Sequence, residues 1–121
     1  MPIVIIPTEK ITDWESFHTV FSDVMGFPEC YGRNMNAWID CMGSSNMPLD
    51  GMSKIHCIPP DVITLHFEDI KRLYDRCPDI YDSLIECAAF VNWRRTSAGE
   101  NPVGVILLQM KLSNHAIEPT R

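Results

Sequence analysis

No run in this sequence approaches the roughly 18–20 consecutive apolar residues of a membrane-spanning helix, so no membrane role is expected. The opening stretch, Met1-Pro2-Ile3-Val4-Ile5-Ile6-Pro7, lacks a positively charged start and is too short for a secretory signal; it reads as a first strand. There is no Gly-rich phosphate loop, no G-x-S-x-G turn and no H-E-x-x-H helix, so nucleotide binding and these hydrolytic chemistries have no support. The cysteines (30, 41, 57, 77 and 87) are odd in number and contain no Cys-x-x-Cys pair. Several sit inside apolar patterns, where free thiols act as small hydrophobes, and a reducing cytoplasm is the expected compartment. Basic residues are scarce as well: 10 Lys+Arg stand against 16 Asp+Glu, a net charge of −6. That balance opposes direct nucleic-acid binding through the phosphate backbone and suits a basic partner.

The chain has no internal repeat or low-complexity tract. With 121 residues, 45% hydrophobic and 21% charged, it is expected to be one globular α/β domain over 1–121, with a polar tail from about 112. Ile3–Ile6 is a short apolar run between prolines, typical of a buried strand. Thr12-Asp13-Trp14-Glu15 is a Thr-x-x-Glu capping box opening a helix whose buried face is Phe17, Val20, Phe21 and Val24. Gly26 closes this helix and Pro28 prevents its continuation. A second helix is expected at about Asn34–Met42, followed by an irregular loop over 43–60. Within that loop Met52 and Ile55 to Ile58 are placed either against the core or in an extra short strand.

Val62–Phe67 is β-branched and aromatic, hence a strand, with His66 on the face opposite Leu65. A short helix follows over Glu68–Cys77, with Ile70, Leu73 and Tyr74 inward. Pro78 then starts another, with Tyr81, Leu84, Ile85, Ala88 and Val91 inward. Asn101-Pro102 turns into a last strand over Val103–Leu108. The order β-α-α-β-α-α-β predicts a three-stranded parallel sheet packed by about four helices, in three layers or two.

Candidate chemistry is sparse. The four histidines (18, 56, 66 and 115) fall one to each segment; His18 reads as a surface or hydrogen-bonded helix histidine. Adjacent His56 and Cys57 make a weak metal signal, and no metal or cofactor is expected. A small enzyme using Cys41 or Cys57 with a histidine is the remaining catalytic option. The segment from Phe27 to Met42 stands out. On a helix Asn36 and Asp40 share one outward face, while Met35, Trp38 and Met42 form an inward stripe. Spacing alone also allows Asn34 simply to cap the helix and Asp40 to be a solvated charge.

Phe27-Pro28, Tyr31-Gly32, Asn34 and Ala37, followed by Asp40, match a Phe/Leu-Pro-x-x-Tyr-Gly-x-Asn-x-x-Ala pattern. Together with Ile11–His18 before it, this stretch resembles the barstar family of intracellular ribonuclease inhibitors. The resemblance covers about residues 1–112 and agrees with the element order above. It implies a non-enzymatic protein that plugs the cationic active site of a ribonuclease or nuclease toxin with an acidic helix and the loop leading into it. Carried across, the contact positions become Cys30, Gly32, Asn34, Asn36, Ile39 and Asp40, with a later acidic contact at Glu86. The departures are Asn36 in place of an aspartate, Cys30 in place of a tyrosine and Ile39 in place of a tryptophan. Arg33 adds a positive charge beside the ridge. They leave open a barstar-like module bound to a non-nuclease partner. Read without the resemblance, Glu86 belongs with Asp79 and Asp82 to a solvated acidic stripe, and Trp93-Arg94-Arg95 packs its tryptophan and complements the helix dipole.

Overall fold

The structure, a computed structural model, describes residues 2–44, 51–55, 61–100, 102 and 104–108, the last five by backbone alone. Strand β1 (Ile3–Ile6) leads through a short 3-10 turn at Thr8–Lys10 into helix α1 (Trp14–Met25) and then α2 (Met35–Gly43). Strand β2 (Ile63–Phe67) is followed by α3 (Ile70–Arg76), α4 (Pro78–Ser97) and β3 (Gly104–Leu108). The strands are parallel in the order β1-β2-β3, with Ile3 opposite Thr64 and Ile63 opposite Gly104.

Strands laid down in sequential order by right-handed crossovers put both helix pairs on the same face of the sheet. Burial follows that arrangement. Val4, Ile6, Ile63, Leu65 and Phe67 are buried, while Ile3 and Ile5 are 65% and 55% exposed. β1 is therefore covered on one face only, which corrects the expectation of a strand buried on both. His66, on the side opposite buried Leu65, is half-buried, as alternation requires.

The core is aromatic at its centre. Phe21 of α1 meets Trp38 of α2 edge-on at 5.6 Å between ring centroids and Phe67 of β2 at 6.4 Å, joining two helices to the sheet. On α4 the buried residues are Ile80, Leu84 and Val91, with Tyr81, Cys87 and Ala88 partly buried around them. Tyr74 is 49% exposed and not inward, because α3 is under two turns long and Ile70 and Leu73 already fill its contact with the core. It stacks edge-on with Tyr81 at 5.1 Å instead. Arg76 anchors α3 to the first crossover, donating from Nε to the Ile11 carbonyl (2.9 Å) and from Nη2 to the Thr8 carbonyl (2.7 Å).

Helix α1 begins one residue later than its Thr12 signal. Asp13 is the N-cap; its carboxylate accepts from the Ser16 amide at 2.8 Å, and the Ser16 hydroxyl lies 3.0 Å from the Asp13 amide that donates to it. The box is therefore Asp13/Ser16 and not Thr12/Glu15, since a charged acceptor at the cap outcompetes a hydroxyl. Gly26 ends the helix at φ +67°, and Lys54 crosses so closely that a Cβ on Gly26 would lie 2.7 Å from the Lys54 Cβ. The amides of Lys54 (2.8 Å) and Ile55 (3.3 Å) donate to the Met25 carbonyl. Within the described part of the long loop, Met52 and Ile55 pack against the core and Ser53 is buried. His56, Cys57, Ile58, Val103, His115 and the tail from about 112 lie outside the described residues.

Candidate functional site

The segment joining α1 to α2 is held from both sides. Tyr31 is buried with its ring against Phe27, 4.8 Å between centroids, and its amide donates to the Pro28 carbonyl at 2.9 Å. Its hydroxyl lies 2.6 Å from Nδ1 of His18, a buried histidine stacked on Trp14. Burial holds the tyrosine far above its ordinary pKa, with the Cys41 thiol as a lesser cause, so the hydroxyl keeps a proton to donate. Burial first, and then the nearby Arg33 cation, hold His18 below its ordinary value, so the imidazole stays neutral. The hydrogen-bonded helix histidine foreseen at position 18 is thus the anchor of the loop.

Arg33 is the second anchor. Among the described non-glycine residues it alone has positive φ, +54°. That twist turns its guanidinium back onto α1, where Nη2 donates to the Glu15 carbonyl and to the Thr19 hydroxyl, each at 2.8 Å. The positive charge expected beside the ridge is therefore directed at the first helix. Asn34 then caps α2, its Oδ1 accepting from the Ala37 amide at 2.8 Å, and Gly32 fits in a space where a Cβ would meet Ala37 at 3.4 Å.

Helix α2 sorts its residues as the spacing predicts. Trp38, Cys41 and Met42 are buried and Met35 is partly so, while Asn36 and Asp40 are exposed on the outward face. Ile39 is half-buried and packs on the core, so only part of it reaches the surface. Cys30 and Gly32 are exposed in the preceding loop, as is Glu86 on α4, the helix that packs beside α2. Six of the seven expected contact positions thus lie on one loop and helix, and Asp40 forms no ion pair among the described residues. Among the described residues nothing seals or covers the Asp40 carboxylate.

The far end of α2 is fixed by α4. Arg95 donates from both Nε (3.1 Å) and Nη2 to the Gly43 carbonyl and pairs through Nη1 with Glu100 at 3.0 Å. A cation on the last carbonyl of a helix offsets its negative end. Trp93, expected to pack inward, is 61% exposed, because Val91 and Arg95 take the positions of α4 that face the molecule. Of the two cysteine candidates, Cys41 is buried, and burial, aided by Asp40 and Cys30, pushes its thiol up to about 11, which disfavours the thiolate.

Sequence reasoning missed the Tyr31–His18 bond and the Arg33 clamp. A signal for the first existed, since His18, Phe21 and Met25 follow helical spacing on the buried face of α1. No group of three or more metal-ligating side chains occurs among the described residues, nor does a helix long and apolar enough to cross a membrane. A family model described as Barstar (barnase inhibitor) matches residues 1–105. No curated protein matches the chain at a significant level.

Proposed function

Because the chain belongs to the barstar family, we propose that it is an intracellular protein inhibitor of a ribonuclease or nuclease toxin, with no enzymatic activity of its own. The observation that carries this reading is Asp40: an exposed carboxylate, free of ion pairs among the described residues, on a short helix fixed at both ends. A ribonuclease cleft is lined with cations that bind phosphates. A carboxylate held rigidly on a convex helix can occupy the place of one phosphate without the entropy loss of ordering a flexible chain. Asn36, one turn earlier, adds a neutral hydrogen-bonding group, and Cys30, Gly32, Asn34, Ile39 and Glu86 complete the contact surface. The acidic net charge of −6 favours encounter with a basic enzyme in the cytoplasm.

A second reading is favoured by a specific observation. Positions 30, 36 and 39 carry Cys, Asn and Ile where well-known members carry Tyr, Asp and Trp. A neutral acceptor binds a cation roughly half as strongly as a carboxylate. These substitutions point either to weaker binding of a barnase-like enzyme or to a different cognate target, another nuclease or a partner of another class. Both readings are tested by titrating the chain against barnase and a panel of toxin nucleases, with Asp40→Ala in parallel. Inhibition of a nuclease that Asp40→Ala weakens supports the inhibitor. A co-purifying non-nuclease partner that no panel nuclease displaces supports the alternative.

A further inference from the structure

The C-terminal half of α4 carries an exposed group that packs on no core residue among those described. Trp93 and Phe90 are 61% and 40% exposed, their rings 5.9 Å apart and tilted by 30°. The Arg94 guanidinium lies over the Phe90 ring, 5.4 Å from its centroid. Single exposed apolar residues are ordinary, but here a tryptophan and an arginine both contact one phenylalanine ring, and tryptophan and arginine are enriched among the side chains that dominate protein interfaces. The stacking holds Arg94 in place before any partner arrives, which lowers the ordering cost of binding.

Arg94, the cation of this group, shares a groove with the Asp40 carboxylate of the proposed inhibitory helix. A groove of about 460 Å³ is lined by Asp40, Gly43 and Met52 on one side and by Arg94, Arg95 and Glu100 on the other. Asp40 and Arg94 do not pair across it. Two opposite charges share one groove, and neither forms an ion pair among the described residues. Arg95, by holding the Gly43 carbonyl, locks α4 against the end of α2 and fixes the distance between the walls. Along α4, Glu86, Phe90 and Trp93 also follow one helical stripe, which links the acidic contact position to the aromatic pair.

We infer that the partner-binding surface extends from α2 across this groove onto Phe90, Trp93 and Arg94, and that the bound nuclease places there an apolar side chain flanked by a carboxylate for Arg94 and a cation for Asp40. The inference rests on the inhibitor reading above. It explains how a chain with only one of the usual carboxylates on α2 can gain affinity and a different target.

The test is calorimetric titration of the full chain against the nuclease of the panel that it inhibits, using wild type, Asp40→Ala, Trp93→Ala and Arg94→Glu, with thermal melts of each. The surface predicts that Trp93→Ala weakens binding about tenfold or more, and Arg94→Glu likewise, with unchanged melting. Amide exchange on the wild-type complex adds a readout independent of variants: residues 90–97 gain protection. If Asp40→Ala weakens binding while Trp93→Ala and Arg94→Glu bind as wild type, and 90–97 gain no protection, the extension falls and the inhibitor reading stands. If wild type binds no nuclease, both fall. A single-stranded RNA oligonucleotide that binds wild type but not Trp93→Ala overturns the protein occupant in favour of nucleic acid.

Discussion

The Tyr31 hydroxyl and the His18 imidazole meet at 2.6 Å in a buried site, so one side chain of the loop is bolted to the middle of α1. Tyr31→Phe removes the hydroxyl and leaves His18 Nδ1 without its partner. The expected cost is about 1–3 kcal/mol of stability, read as a lower urea midpoint with unchanged slope. Amide exchange should rise first in residues 27–34, before the sheet loosens.

The same pair sets a pH dependence. His18 titrates below its ordinary value of 6.5 in the folded chain, through burial and the Arg33 cation. The unfolded chain therefore takes up a proton that the folded chain refuses. This contribution is whole above about pH 6.5 and is lost as pH falls below it toward the depressed folded value. Asp13, lowered by its bonds from Ser16, acts in the same direction only in the more acidic range below its ordinary 3.8. Melting temperature measured from pH 7 down to about 5 should fall for wild type and stay flatter in His18→Gln.

Charge on α2 should tune affinity. Asp40→Ala is expected to weaken nuclease binding by about tenfold to a hundredfold, the worth of a hydrogen bond to a charged group. Asn36→Asp should strengthen binding to barnase and steepen its salt dependence, because it adds a second exposed carboxylate one turn away. Stopped-flow association rates at two ionic strengths separate the steering effect from the contact.

Gly26→Ala is predicted to destabilise by about 1–3 kcal/mol, since a left-handed residue gains a Cβ and the backbone strain with it. At φ +67° the new methyl would also lie 2.7 Å from Lys54 Cβ, forcing residues 51–55 away from the end of α1. Chemical denaturation gives the magnitude, and exchange at the Lys54 amide reports the displaced segment.

Periodicity carried most of the framework. Phe17, Val20 and Phe21 lie on the buried face of α1, and Asn36 and Asp40 face out while Trp38 and Met42 face in, because three and four residues make one helical turn. Where several weak signals competed, the boundary moved, as with Asp13 replacing Thr12 as cap. Tyr74 and Trp93 misled for a related reason: an aromatic at a plausible spacing does not reveal whether its own chain or another molecule covers it. The Tyr31–His18 bond joins a non-periodic loop to a helix, and Arg33 reaches α1 only through a left-handed turn that its residue type disfavours. Helical spacing marks His18 as inward, but nothing local marks Tyr31 as its partner or Arg33 as a clamp.

Ile3 pairs with Thr64, so the first strand waits for a mate about sixty residues downstream, and α1 and α2 lie wholly inside that span. During synthesis α2 leaves the ribosome before β2, the strand that pairs with β1. On the inhibitor reading, truncated translation products ending before Phe67 are therefore expected to be inert.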